Sequence, residues 1–93
     1  MAIGRGPRFA ERVAVVTGGA GGLGRAVCEG LAREGAALAV VDVDPEAVTA
    51  TVTALEALGA RVTGHVVNVA DRGAVEDLMA QVAGSLGGPH VLI

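Results

Sequence analysis

Lysine, tryptophan and tyrosine are absent from this chain of 93 residues, and Phe9 is its single aromatic side chain. All seven basic residues are arginines, set against ten acids for a net charge of -3. Without a basic stripe or aromatic platforms for stacking bases, nucleic-acid binding is not expected. Cysteine occurs once, as Cys28. It has no partner for an internal disulfide and suits a reducing compartment, so a cytoplasmic location is expected. Long apolar runs are also missing: no stretch approaches the ~20 residues of a membrane span. No apolar segment follows the arginines of the opening "MAIGRGPRFAER", so neither a secretory leader nor a membrane partner is expected. Apolar residues still make up 52 % of the chain and charged ones only 18 %, which argues for a globular domain rather than disorder. With so few aromatics, its core has to be built from Val, Leu, Ala and Ile.

What the chain has in quantity is glycine, 15 residues, distributed as punctuation. The short β-branched run Val13-Ala14-Val15-Val16 predicts a buried strand that ends in a glycine turn. From Gly22 to Glu34, Leu23, Val27 and Leu31 recur every four residues as one face of a helix, with Cys28 beside them as a small buried hydrophobe and Gly35 as the stop. Ala37 to Val41 predicts a second strand, closed by Asp42-Val43-Asp44. Asp44 followed by Pro45 is a helix start, a side-chain cap and then proline at the first helical position. Val48, Val52 and Leu55 form that helix's stripe, and Gly59 ends it. Arg61 to Asn68 reads as a third strand. Asp71 is placed to cap a third helix with Val75, Leu78, Met79 and Val82 on its inner face and Gly84 as its stop. "GGPHVLI" opens a fourth strand. Such alternation, with strands apolar on both faces, predicts an α/β fold: a Rossmann-type doubly wound parallel sheet, of which this is the N-terminal βαβαβα half plus the start of a fourth strand. Residues 1–11 are read as a lead and 12–93 as the half-domain.

The turn "TGGAGGLG", Thr17 to Gly24, holds five glycines in eight residues. Two spacings overlap in it: Gly19-x-Gly21-x-x-Gly24 fits G-x-G-x-x-G, and Thr17-Gly18-x-x-x-Gly22-x-Gly24 fits T-G-x-x-x-G-x-G. Between a strand and a helix, bare backbone lets phosphate oxygens reach N–H groups at the positive end of the helix dipole. A P-loop does not fit, because Arg25-Ala26 follows Gly24 where Lys and then Ser or Thr would be required. Asp42 ends the second strand about twenty residues beyond Gly22, where a carboxylate can accept from both hydroxyls of an adenosine ribose. It would repel a 2′-phosphate, and Val43 offers no compensating charge. NAD is therefore expected rather than NADP.

At these residues, "TGGAGGLG", "VVDVD" and "VVNVAD", the chain resembles the N-terminal part of short-chain dehydrogenases/reductases, from about Arg12 to its last residue. The resemblance implies that Gly18, Gly22 and Gly24 shape the cofactor turn, with Gly21 and Leu23 near the pyrophosphate. Asp42 and Val43 would hold the adenosine end, and Asn68-Val69 would lie beside the adenine ring. The family usually has Asp-Val at that last step; an Asn amide oxygen can also accept from the adenine amino group. It further implies oxidation of an alcohol to a carbonyl compound, or the reverse, with a small-molecule substrate and a homo-oligomeric complete protein. Its catalytic Tyr-x-x-x-Lys pair, and the Asn-Asn-Ala-Gly segment after the fourth strand, do not occur in these residues.

Two readings stay open. In the first, the abrupt apolar end Val91-Leu92-Ile93 marks the N-terminal portion of a longer NAD-dependent enzyme, catalytically incomplete as given. In the second, the chain is a non-catalytic nucleotide-binding or interaction module. The remaining polar residues are read as structural or solvated: His65 and His90 have no metal-ligand spacing, Glu76-Asp77 forms a solvated helix face, and Arg25 is solvated or at most near a phosphate.

Overall fold

The computed structural model describes residues 12–86 and the backbone of 91–92. Strand and helix alternate as β1 (Val13–Thr17), α1 (Gly22–Arg33), β2 (Ala37–Asp42), α2 (Pro45–Ala57), β3 (Val62–Val66), α3 (Arg72–Leu86) and β4 (Val91–Leu92). All pairings are parallel, in the order β3-β2-β1-β4. This is the doubly wound half predicted from the periodicity. The lead 1–11 and, within "GGPHVLI", residues 87–90 (His90 among them) and 93 lie outside the described residues, while Val91 and Leu92 form the expected fourth strand.

Alternation along the two central strands divides the core. Ala14, Val16, Leu38 and Val40 face one way and pack with Cys28 of α1 and Leu55 of α2. Val13, Val15, Ala37, Ala39 and Val41 face the other way and meet Leu78 and Val82 of α3. Four residues of β1 and five of β2 are buried, as a strand covered by helices on both faces must be. The edge strand β3 is only half-covered. Its Gly64 lies under α2, where a Cβ would come within 2.7 Å of Val48 Cγ1 and 2.9 Å of Val52 Cγ2. Glycine there sets how closely α2 approaches the sheet.

The helix signals were largely legible. Asp44 Oδ1 accepts from the N–H groups of Glu46 and Ala47, and Asp71 Oδ1 accepts from Ala74 N–H. Gly35 and Gly59 adopt φ of 91° and 86°, the left-handed geometry expected of helix stops. Three expectations need correction. Leu23 is not on the inner stripe of α1; it is 83 % exposed. Cys28 is the buried residue of α1, with Leu31 and Ala32 partly buried beside it, because the first turn of α1 seats Gly24 against the preceding loop. Gly84 does not stop α3, which continues to Leu86. Leu86 packs on the α3-side core, and that burial outweighs the ~1 kcal/mol helix penalty of glycine. Finally, β3 spans Val62–Val66 rather than Arg61 to Asn68, since Asn68 Oδ1 accepts from Ala70 N–H and turns the chain.

Cys28 is fully buried, and burial, reinforced by the charge of Glu29, pushes its thiol up from 9.0 to about 11. The unfolded chain therefore releases this proton first as pH rises, so stability falls between about pH 9 and 11. No lysine or tyrosine side chain titrates in that window to mask the effect. Urea unfolding at stepped pH is expected to show a loss on the order of 2 kcal/mol across it, absent in Cys28→Ala. A flat wild-type profile would contradict the buried neutral thiol.

Candidate functional site

Thr17, Asp42 and the Val66–Val69 segment come together at the carboxyl edge of the sheet, where β1, β2 and β3 end side by side. The strand order reverses at β1, which has β2 on one side and β4 on the other. In open α/β sheets a crevice forms outside the strand ends at such a point.

The glycine turn lies at this edge, directly after β1. Gly18 has φ of 66°, a left-handed conformation that reverses the chain as it leaves β1. Gly19 N–H donates to Val41 C=O at 3.0 Å, and Gly21 N–H donates to Gly18 C=O at 3.3 Å. A Cβ on Gly24 would collide with the Gly18 carbonyl oxygen and fall 2.9 Å from Gly19 Cα. Glycine at 24 thus lets the first turn of α1 sit directly on the loop. Gly21 and Gly22 differ: a Cβ on Gly22 would meet nothing within 4 Å, and one on Gly21 would only touch Gly18 O at 3.7 Å. Internal packing does not require glycine at either. Both overlapping spacings have a steric basis: Gly18 makes the reversal, a Cβ on Gly19 would fall 2.8 Å from Val16 C=O, and Gly24 makes the close approach, while Gly21 and Gly22 stay open.

The N–H groups of Gly22, Leu23 and Gly24 lie in the first turn of α1, beyond the reach of intrahelical carbonyls. Gly21 at the cap position has no side chain to bond them, and the turn contains no acid. By contrast, α2 carries both an Asp44 cap and Glu46 in its first turn. The positive end of the α1 dipole is therefore left without a compensating side chain at the strand edge.

Asp42 sits beside it, half-buried. Its Oδ1 accepts from Val43 N–H at 2.7 Å, and its Oδ2 accepts from Ala20 N–H at 3.2 Å. Each carboxylate oxygen retains a second acceptor position. Val43 and Val69 are more than half exposed and, with Leu23 and Val66, give this edge an apolar rim. Asn68 is brought to the same edge, but its amide oxygen already accepts from Ala70 N–H and its carbonyl from Asp71 N–H.

Two features were not anticipated from sequence. The Ala20–Asp42 bond joins residues 22 positions apart and involves a backbone donor, so no residue type announces it. An apolar cavity of about 230 Å³ opens beside Thr17, lined by Val15, Val69, Val75, Leu78 and Met79. Val75, Leu78 and Met79 carry a helix-core spacing that gives no hint of a cavity. Arg25 pairs with Glu29 of its own helix at 3.4 Å. His65 bonds Thr63 Oγ1 at 2.8 Å, and burial lowers its imidazole pKa against the opposing hydrogen bond it donates to Gln81. Among the described residues, no cluster of three or more His, Cys, Asp or Glu could hold a metal ion. No helix among them is long and apolar enough to cross a membrane.

The chain is similar to dehydrogenases and reductases. It is 41 % identical over 88 residues to cis-4-hydroxycyclohexanecarboxylate dehydrogenase of Sinomonas cyclohexanicum, covering 95 % of this chain and 35 % of that one. Its structure is similar to that of a short chain dehydrogenase/reductase from Burkholderia phymatum in complex with NAD. There the TM-score is 0.86 and the identity 38 %, over 90 % of this chain and 30 % of that one. It is also similar to L-sorbose reductase from Gluconobacter frateurii complexed with NADPH and L-sorbose. That match has a TM-score of 0.85 and 34 % identity, over 90 % of this chain and 32 % of that one. The chain spans about a third of the length of the curated relatives it matches. Residues 12–93 match the short chain dehydrogenase family, and the chain belongs to that family.

Proposed function

We propose that residues 12–93 form the NAD-binding half-domain of an NAD-dependent oxidoreductase acting on an alcohol or carbonyl substrate. The observation that carries this reading is the bare, acid-free N-terminus of α1, set over the glycine turn beside the Asp42 carboxylate. Gly22, Leu23 and Gly24 offer backbone N–H groups to a pyrophosphate, and the open position at Gly22 leaves room for its oxygens to approach. Gly18 and Gly21 shape the turn. Asp42 accepts from the ribose hydroxyls with its remaining lone pairs, and Val43 and Val69 supply apolar contact to the adenine end, with Asn68 beside it. NAD supplies the hydride acceptor when bound. The relatives include complexes of both NAD and NADPH; Asp42 favours NAD here because its charge opposes a 2′-phosphate.

Proton transfer to or from the substrate oxygen needs a positioned acid or base. The Tyr-x-x-x-Lys pair that the resemblance implies is not among these 93 residues, so they are read as catalytically incomplete. The complete enzyme would be a homo-oligomer. The same absence favours, as a second reading, a non-catalytic nucleotide-binding or interaction module. The enzyme reading and the nucleotide-binding form of the second place a nucleotide in this site, and they part on whether a longer chain carries the pair; an interaction module would leave the site without one.

Calorimetric titration is expected to show NAD binding at least tenfold tighter than NADP; tighter NADP binding, or no binding of either, would overturn the assignment. Two glycine variants separate packing from ligand contact. Gly22→Ala should raise fold stability by up to ~1 kcal/mol, since alanine is the better helix residue, yet weaken NAD about tenfold. Gly24→Ala should lose ~1–3 kcal/mol of stability or more, because the loop backbone has to shift. Incubated with NAD and a panel of secondary alcohols, the 93-residue chain should form no NADH. Steady absorbance growth at the reduced-nicotinamide band would mean that another group handles the proton.

A further inference from the structure

We propose that Asp42 is a positioning residue for the glycine turn, holding the turn in its anion-ready shape before any ribose arrives. The turn is tied to β2 by two bonds, Gly19 N–H to Val41 C=O at 3.0 Å and Ala20 N–H to Asp42 Oδ2 at 3.2 Å. The first continues the β1–β2 ladder and is independent of side chains. The second depends wholly on the carboxylate, and it is charge-assisted. Asp42 is itself oriented by the 2.7 Å bond from Val43 N–H to its other oxygen, so the carboxylate plane is set from its own strand. Ala20 is half-buried and packs on the core face that holds Cys28. From below, the Cys28 thiol points at Gly19 C=O at 3.8 Å.

These contacts sort the donors of the turn. The N–H groups of Gly19, Ala20 and Gly21 are consumed by Val41, Asp42 and Gly18. Those of Gly22, Leu23 and Gly24 are left in the uncapped helix turn. Removing the carboxylate strands the Ala20 donor and lets the segment between the Gly18 reversal and the helix start reorient. A negative charge beside an anion site opposes binding, so Asp42 acts on a phosphate in two directions, repelling it through space and preparing its donors through Ala20. A residue acting only on ribose would lack the second effect. The affinity consequence rests on the nucleotide-binding reading of this turn; the hydrogen bond does not.

The experiment uses the 93-residue chain with Asp42→Ala and Asp42→Asn, which are equally uncharged. Asn has one acceptor oxygen: turned toward the loop it keeps the bond from Ala20 N–H and gives up the one from Val43 N–H. Amide hydrogen exchange in the ligand-free chain reads the bond directly. Relative to the core amides of Val15 and Leu38, Ala20 should exchange about tenfold faster in Asp42→Ala and stay close to wild type in Asp42→Asn. Inorganic pyrophosphate, which has no ribose, then reads the consequence: it should bind Asp42→Asn several-fold more tightly than Asp42→Ala. Unchanged Ala20 exchange in Asp42→Ala, or equal pyrophosphate affinity of the two variants, would overturn the proposal. If the wild-type chain binds neither pyrophosphate nor NAD, the functional reading fails, and the exchange ratio still decides the positioning role. Asp42→Ser replaces the alanine variant if that one does not fold.

Discussion

The contact between Gly24 and the Gly18 carbonyl sets the geometry of the carboxyl edge. A side chain at 24 would collide with backbone, which cannot rotate away as a flexible side chain could. With glycine there, α1 begins immediately above the strand ends instead of one turn further out. That placement brings Cys28 down onto Val16 and Val40, puts the positive end of the helix at the point where the strand order reverses, and leaves Leu23 in solvent. The exposure of an apolar residue in the first turn and the burial of a cysteine in the second have one steric origin.

Around that contact the backbone donors are divided between structure and surface. Where a cap residue is available, as at Asp44 or Asp71, a side chain of the same chain takes first-turn N–H groups, two at α2 and one at α3. At α1 the cap position is glycine and the first turn holds no acid, so no side chain caps its N–H groups. Asp42 supplies the neighbouring negative charge from a different strand, at a position that bonds the loop rather than the helix. The resulting pair of features, an uncapped helix start and an adjacent carboxylate, is what the proposed nucleotide-binding reading rests on.

Much of this was legible along the chain because it is local. Capping by Asp44 and Asp71, the stops at Gly35 and Gly59 and the reversal at Gly18 depend on residues within one turn of each other. The period-2 burial of β1 and β2 appears as continuous apolar runs, since both faces are covered. Misreadings arose where packing overrode a local rule, and once where a local turn signal was missed. Gly84 is an ordinary stop signal until Leu86 finds the core beneath it. Leu23 fits a four-residue spacing until the loop takes the adjacent face. The third strand is shorter than its apolar run because Asn68 turns the chain with its own side chain.

By itself the sequence determined the alternation of elements, the parallel sheet, the position of the glycine turn and Asp42 at the end of its strand, each through a short-range preference of backbone or side chain. Only the tertiary structure decided which glycines pack and which stay open. It likewise decided that Ala20 donates to Asp42, that Gly64 admits α2, and that Thr17 borders an apolar cavity. The physical reason is that these depend on distances between segments brought together by folding. A backbone N–H or a missing Cβ carries no mark in the sequence of what will stand opposite it.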